Sequence, residues 1–251
     1  MRRAPSSRAT AWRVAEAPSA GTSGTGSGHA TVVARRRSLR VPAAAKARRP
    51  AGVRAGRRGT AEVRIVGGRL KGRALLTPSS RAIRPTSERL RESIFDILEH
   101  RFPGRIDGAR VADLFAGTGA LAIEALSRGA RFALLIDNGA EARALLRANV
   151  EALALGGVTR IWRADATKLG SAPAGGPFAL AFLDPPYGQG LAGTALAALV
   201  AGGWLELNAL CVVEEAAEAE IATPGGLALI DERTYGDTRI AIFQRSAATA
   251  I

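Results

Sequence analysis

From residue 108 to residue 245 the chain alternates short, mainly apolar runs with segments of helix length, and the first four runs each carry a glycine or an aspartate at or near their end. Those runs are "ARVADLFAG", "RFALLID", "VTRIWRADA" and "PFALAFLDPPY". The intervening "ALAIEALSRG" and "AEARALLRANVEAL", and the later "GTALAALVAGG", carry the spacing of helices. A strand with no polar alternation is buried on both faces, so this pattern predicts an α/β fold with a mostly parallel sheet and helices on both sides. "ALCVVEEA", "LALIDERTYG" and "TRIAIFQ" supply the final strands, the last forming an antiparallel C-terminal hairpin.

A different kind of sequence precedes the alternation. "RIVGGRLKGRALLTP" is a short β-rich lead, and Thr86 to His100 places Leu90, Ile94, Ile97 and Leu98 on one helical face behind Pro85 and a Thr86 cap. The expected organisation is a disordered basic tail over 1–62, a basic β/α extension over 63–107, and an α/β domain over 108–245.

Charge separates the same regions. Residues 1–60 hold 14 Lys and Arg against one acidic residue, Glu16, and so carry the whole net charge of +13. Residues 61–110 are also basic, with 11 cationic and 6 anionic side chains, whereas residues 111–251 are acidic, 10 against 15. A basic front gains affinity for a polyphosphate through counterion release, which points to a nucleic acid without saying which one.

"SAGTSGTGSGHA" and the arginine-rich stretch after it contain too few large apolar residues to offset the entropy of ordering. Three readings compete for this tail: a solvated basic arm that adds RNA affinity, an organelle import signal, and a stretch not translated in the native product. Met1 is the only methionine, and the Ala, Arg and Gly usage is that of a GC-rich gene in which a valine codon near Val63 can serve as the start. The third reading is favoured.

Several chemistries drop out early. Cys211 is the single cysteine and reads as a buried strand residue, so there is no internal disulfide and no multi-cysteine metal site. His29 and His100 form no pair for metal or triad chemistry, and no metal is expected. No apolar stretch has the length of a membrane span. A monomer in the bacterial cytoplasm is expected, with organelle import as the alternative.

In a parallel sheet, ligands bind beyond the carboxyl ends of the strands, near the switch in strand order. Four aspartates stand there: Asp113, Asp137, Asp165 and Asp184. Gly117 and Gly119 make the tight strand-to-helix turn that lets backbone approach a ligand. Asp137, 20 residues after Gly117, is where a carboxylate accepts both hydroxyls of a ribose. Gly117, Gly119 and Ala122 also fit a dinucleotide loop, but such a loop usually opens its fold, and here about 50 ordered residues precede it. Asp165 is placed to meet an adenine amino group or, equally, to cap a helix.

"FLDPPYGQG" ends a buried strand with two residues that cannot donate a backbone hydrogen bond. An exocyclic base amine is a poor nucleophile because its lone pair is delocalised into the ring. Two acceptors that hold its N–H groups draw the nitrogen toward tetrahedral geometry. Asp184 supplies one, the carbonyl of Pro185 the other, with Pro186 stiffening the turn. Tyr187 offers a face on which the base stacks, a contact worth about 1–3 kcal/mol in single-strand binders. The plain alternative is a strand terminator with a capping aspartate.

These blocks together resemble S-adenosylmethionine-dependent methyltransferases, and closely the RsmD type that acts on guanine N2 of 16S ribosomal RNA. The resemblance covers residues 64 to 243 through "RIVGGRLKGR", "RPTSERLRESIFDIL", "DLFAGTGALAIEALSRGA", "FLDPPY" and "YGDT". It implies a Rossmann-like methyltransferase sheet, S-adenosylmethionine as cofactor, and 16S rRNA or a small-subunit particle as partner. It also implies Asp113, Phe115, Gly117, Gly119, Asp137 and Asp165 at the cofactor, and Asp184, Pro185, Pro186 and Tyr187 at the base. Thr118 stands where the family usually has Ser, and Ala122 where it often has Gly.

The implied reaction is an in-line displacement in which N2 attacks the sulfonium methyl and a proton is lost afterward. Carbon-5 methylation needs a cysteine nucleophile, and Cys211 lies in the wrong strand. Arg64, Arg69, Lys71, Arg73, Arg81 and Arg84 are the expected phosphate contacts around an unstacked guanine. Two alternatives stay open: an adenine-N6 methyltransferase, since D-P-P-Y also serves that amine, and a non-catalytic ribosome-assembly factor.

Overall fold

The computed structural model describes residues 63–77 and 87–246. The basic tail before Val63, together with Arg81, Arg84, Pro85 and Thr86, lies outside the described residues. The strands are β1 (Val63–Arg64), β2 (Ala74–Leu75), β3 (Arg110–Leu114), β4 (Phe132–Ile136), β5 (Thr159–Trp162), β6 (Phe178–Leu183), β7 (Leu205–Ala216), β8 (Leu227–Tyr235) and β9 (Thr238–Arg245). The helices are α1 (Glu88–Arg101), α2 (Ala120–Ser127), α3 (Ala140–Ala152) and α4 (Leu191–Ala201).

Seven strands form one sheet in the order β5-β4-β3-β6-β7-β9-β8. The first five are mutually parallel, and β9 runs antiparallel to both β7 and β8. The alternating α/β fold with its C-terminal hairpin is therefore as the sequence pattern predicts. Period-two alternation sends successive residues to opposite layers. Val111, Leu135, Leu180, Phe182, Val212 and Ile242 join the core beneath α1, α2 and α3, while Ala112, Leu134, Ala181, Leu183, Cys211 and Val213 join the core beneath α4.

α1 begins one residue later than its sequence signals suggest. Ser87 is the cap, its hydroxyl oxygen accepting from the Leu90 amide at 3.1 Å. The start of β7 is also longer than expected, because polar Glu206 and Asn208 interrupt the apolar run. The strand advances from Leu205 to Leu210 while β6 advances only from Phe178 to Leu180, and Asn208 absorbs the excess at φ +64°.

β1 and β2 form a separate antiparallel pair. What fastens it to the body is Glu124, fully buried on α2. Its carboxylate accepts from the Val66 amide at 2.8 Å and the Gly67 amide at 2.7 Å, and pairs with Arg128 at 2.8 Å and Arg91 at 3.5 Å. Ser127 adds two more bonds, donating to the Gly67 carbonyl at 2.6 Å and accepting from the Leu70 amide at 2.9 Å. A side chain at Gly68 has no room, since its Cβ would lie 2.0 Å from the Ser127 carbonyl oxygen, and φ is +70°. The paired glycines of "RIVGGRL" thus serve close approach.

Candidate active site

The order of the sheet reverses at β3: the chain proceeds from β3 outward to β4 and β5, then returns to lay β6 on β3's other side. Ligand crevices form at such a switch. Register decides which residues share it. Leu114 pairs with both Ile136 and Leu183, and Leu183 pairs with Val213. The next residue on each chain is Asp137, Phe115, Asp184 and Glu214, so three carboxylates and one aromatic follow a single row of paired residues. A cleft of about 530 Å³ opens there, lined among others by Asp113, Gly117, Asp137, Asp184, Tyr187 and Glu214.

Asp137 is oriented by backbone. Its two oxygens accept from the Gly117 amide at 2.9 Å and the Gly139 amide at 2.7 Å, and a carboxylate so held keeps further lone pairs for a ligand. Gly117 (φ +55°) and Gly119 (φ +81°) turn the chain into α2 through left-handed conformations. At Gly119 a Cβ would also meet Leu146 at 2.8 Å. Phe115 adopts φ +63° without being glycine, a strain of order 1–3 kcal/mol of the kind that gathers at functional sites.

Asp113 is 2 % exposed. Its carboxylate accepts from the Ala122 amide, in the first turn of α2, at 3.1 Å. Burial pushes its pKa up to about 7, with the Ala122 bond pulling the other way. Asp113 therefore ties β3 to the start of α2 and closes the floor of the cleft.

Asp165 stands apart. It is not among the residues lining the cleft, and its Oδ1 accepts from the Thr167 amide at 2.9 Å and the Thr167 hydroxyl at 2.6 Å. Those bonds hold its carboxyl below the usual range. These bonds close a local turn, and no helix starts there for Asp165 to cap.

Asp184, Pro185, Pro186 and Tyr187 leave β6 into the cleft. Pro185 is buried and Pro186 exposed. The Tyr187 hydroxyl donates to Glu214 Oε1 at 2.7 Å and lies 3.3 Å from Thr238 Oγ1. Burial, with the neighbouring carboxylates of Glu214 and Asp184, raises the phenol's pKa, so it stays protonated. The following turn is held by Glu215, which accepts from the Gly188 amide at 3.1 Å. Thr238 belongs to "YGDT", so that late block meets the site through Tyr187.

Three contributors escape the sequence reading. Glu214 follows the apolar run "CVV" as Asp184 follows "AFL", and that parallel was available to find it, although β7 continues through Glu214 to Ala216. Glu124 and Asn149 gave no signal, since each sits inside a helix pattern. Asn149, 1 % exposed on α3, accepts from the Leu76 amide at 2.7 Å and donates to the Leu76 carbonyl at 3.1 Å and the Thr118 carbonyl at 3.0 Å.

Arg64, Arg69, Lys71 and Arg73 are all exposed on or beside the β1–β2 pair, with Arg73 also donating to the Ala152 carbonyl at 3.0 Å. Cys211 is fully buried in β7 opposite Ala181, and burial pushes its thiol up to about 12. Among the described residues there is no His, Cys, Asp and Glu cluster able to hold a metal, and no helix is long and apolar enough to cross a membrane.

A family model described as Conserved hypothetical protein 95 matches residues 63–244. Ribosomal RNA small subunit methyltransferase D of Escherichia coli K12 is 36% identical over 190 residues, covering 75% of this chain and 93% of that protein. The protein of the same name from Haemophilus influenzae is 31% identical over 185 residues, with 73% and 94% covered. Among solved structures, the Escherichia coli protein yhhF superposes with a TM-score of 0.65 at 33% identity, over 74% of this chain and 99% of its own. A hypothetical protein of Thermus thermophilus gives 0.57 at 33% identity, over 72% and 98%.

Proposed function

Since the chain belongs to the RsmD-type methyltransferase family, we propose that it transfers the methyl group of S-adenosylmethionine to the exocyclic N2 of a guanine in 16S ribosomal RNA. The observation that carries this reading is the shared cleft: the Asp184–Tyr187 turn and the Gly117–Gly119 loop open into one cavity from adjacent strands. An amine acceptor and a nucleoside cradle side by side are what methyl transfer to a base requires.

The residues present fit the cofactor. About 530 Å³ lies in the usual range for a small-molecule site, and the carboxylates of Asp137 and Glu141 along it suit a ligand that carries an ammonium and a sulfonium, with Asp113 beneath them. Asp137 is oriented to accept the ribose hydroxyls, and Phe115 and the Gly117–Gly119 turn supply the wall. Asp165, which follows β5 with its carboxylate held by Thr167, is the residue to meet the adenine amino group. Bound there, S-adenosylmethionine supplies an electrophilic methyl group.

The chain's own work is positioning. Asp184 and the Pro185 carbonyl accept the two N–H groups of the guanine amine, Pro186 stiffens the turn, and Tyr187 stacks on the base with its ring held by Glu214. Holding the reacting atoms in this geometry provides most of the acceleration for an already activated methyl. The amine sheds a proton after transfer, and no covalent enzyme intermediate is formed.

Residues 63–107 form the RNA-contacting segment, and 108–245 the catalytic domain. Arg64, Arg69, Lys71 and Arg73 grip phosphates around the unstacked guanine, with Arg81 and Arg84 continuing the same stretch. The partner is a small-subunit particle or its RNA, met by a monomer in a bacterial cytoplasm. Labelled methyl transfer to small-subunit particles lacking base methylation, followed by nucleoside digestion, should give N2-methylguanosine, and Asp184→Ala should abolish the label while cofactor binding persists. A labelled N6-methyladenosine peak would overturn the choice of base, and cofactor binding without transfer to any particle would favour a non-catalytic role.

A further inference from the structure

Glu214 lies outside every block that carries the family resemblance, yet it follows the same row of paired residues as Asp184, one strand over. It is 6 % exposed and lines the cleft. Its Oε1 takes the Tyr187 hydroxyl at 2.7 Å, which places the carboxylate beside the ring on which the base is to stack. A carboxylate offers about four acceptor positions and no donor, so Glu214 presents acceptors to whatever edge of the base comes next to Asp184.

Beside the exocyclic amine on the Watson–Crick edge of either purine is N1. In guanine N1 carries a hydrogen; in adenine it is bare and itself an acceptor. We propose that Glu214 reads the N1–H of the target guanine and is the residue that confines the D-P-P-Y turn to guanine. The inference rests on the preceding reading that Asp184 receives guanine N2. A donor facing Glu214 gains a charge-assisted hydrogen bond, whereas a bare N1 sets lone pairs against a buried carboxylate. Selectivity of this kind is strong because the wrong base turns a lone pair instead of a donor toward the site's own buried carboxylate.

The test uses wild-type protein and small-subunit particles rebuilt with RNA that carries either guanine or 2-aminopurine at the position mapped by the digestion experiment. 2-Aminopurine keeps the N2 amine but has a bare N1. Wild type should prefer guanine by roughly ten- to hundredfold in kcat/KM, the worth of a hydrogen bond to a charged group. Glu214→Gln can offer an amide N–H to the bare N1, so the preference should fall at least tenfold. The loss of the guanine O6 affects both proteins alike and cancels in the ratio.

Tyr187→Phe, which breaks the hydroxyl bond but leaves the carboxylate, should slow both substrates and keep the ratio. If Glu214→Gln loses cofactor binding as well, the ratio is read on Glu214→Asp, whose shorter side chain withdraws from the base, and it should again fall. Equal rates on the two bases in wild type, or an unchanged ratio in both Glu214 variants, would overturn the proposal. Absence of N2-methylguanosine with wild type would instead overturn the reading on which it rests.

Discussion

Replacing Glu124 with alanine removes one carboxylate that serves four partners. The two amides, Val66 and Gly67, lose acceptors at 2.8 and 2.7 Å, and the guanidinium groups of Arg91 and Arg128 each lose a carboxylate partner, Arg128 keeping Glu99 at 2.8 Å. Arg91 has a fully buried side chain whose pKa burial already lowers, opposed chiefly by Glu124. Breaking a buried pair from one side costs about 3–5 kcal/mol, and each stranded amide adds roughly 1–3 kcal/mol if it stays buried.

Those costs do not sum, because Val66 and Gly67 can return to water by letting the β1–β2 pair go. That pair contributes only a few apolar side chains, Val63, Ile65, Leu70 and Leu75, to the first core, and the remainder of that core and the whole of the second are supplied by the sheet and its helices. The expected outcome is local release of residues 63–76 with the sheet intact, and an apparent stability loss of about 3–5 kcal/mol in urea unfolding. Native-state hydrogen exchange is the direct assay: the Val66 and Gly67 amides should lose protection while β3 and β6 keep theirs. Cofactor affinity should change little and methyl transfer to particles should drop. Unchanged protection at Val66 and Gly67, with a stability loss below about 1 kcal/mol, would refute this account and leave the segment held by apolar contacts alone.

Asp137→Ala should raise the cofactor dissociation constant at least tenfold, in line with about 1.5–3 kcal/mol for a hydrogen bond to a charged group, as read by titration calorimetry. The Asp113 carboxyl, raised from 3.8 to about 7 by burial, binds a proton in the folded state that the unfolded chain has released. Stability should therefore fall as pH rises from about 4 to about 7, by at most about 4 kcal/mol, and Asp113→Asn should flatten that slope in urea melts. Changing Arg64, Arg69, Lys71 and Arg73 together to glutamine should weaken RNA binding and reduce its logarithmic salt slope by about 0.7 for each lost contact to single-stranded RNA; binding unchanged across salt would contradict the assignment.

The sheet was legible because its central strands are buried on both faces and so lack polar interruptions: "ALLI" and "FALAFL" admit few other structures. Where polar residues enter a strand, as Glu206 and Asn208 do at the start of β7, the same logic stops short of the true boundary. The cleft could be anticipated where a residue type announces a backbone need, as with Gly117, Gly119 and the Pro185–Pro186 pair. Asp165 shows the limit. An aspartate after a strand serves a ligand or a turn with the same chemistry, and the choice depends on Thr167 two residues on. Glu124 and Asn149 were invisible because a buried polar side chain is marked by its partners, which lie 57 or more residues away along the chain for Gly67, Val66 and Leu76.

Asn149 joins two places that would otherwise have no common part. Its amide group grips the backbone of Leu76, where the basic segment leaves the body, and the carbonyl of Thr118, in the middle of the glycine loop. Two ligands that bias the same fixed group are thermodynamically linked, and linkage is symmetrical. Whatever factor bound cofactor adds to the hold on RNA, RNA must return to the cofactor. The two substrates of a transferase meet at the transferred group; under the proposed assignment of the basic segment to RNA, they also share a second meeting point behind the wall of the cleft.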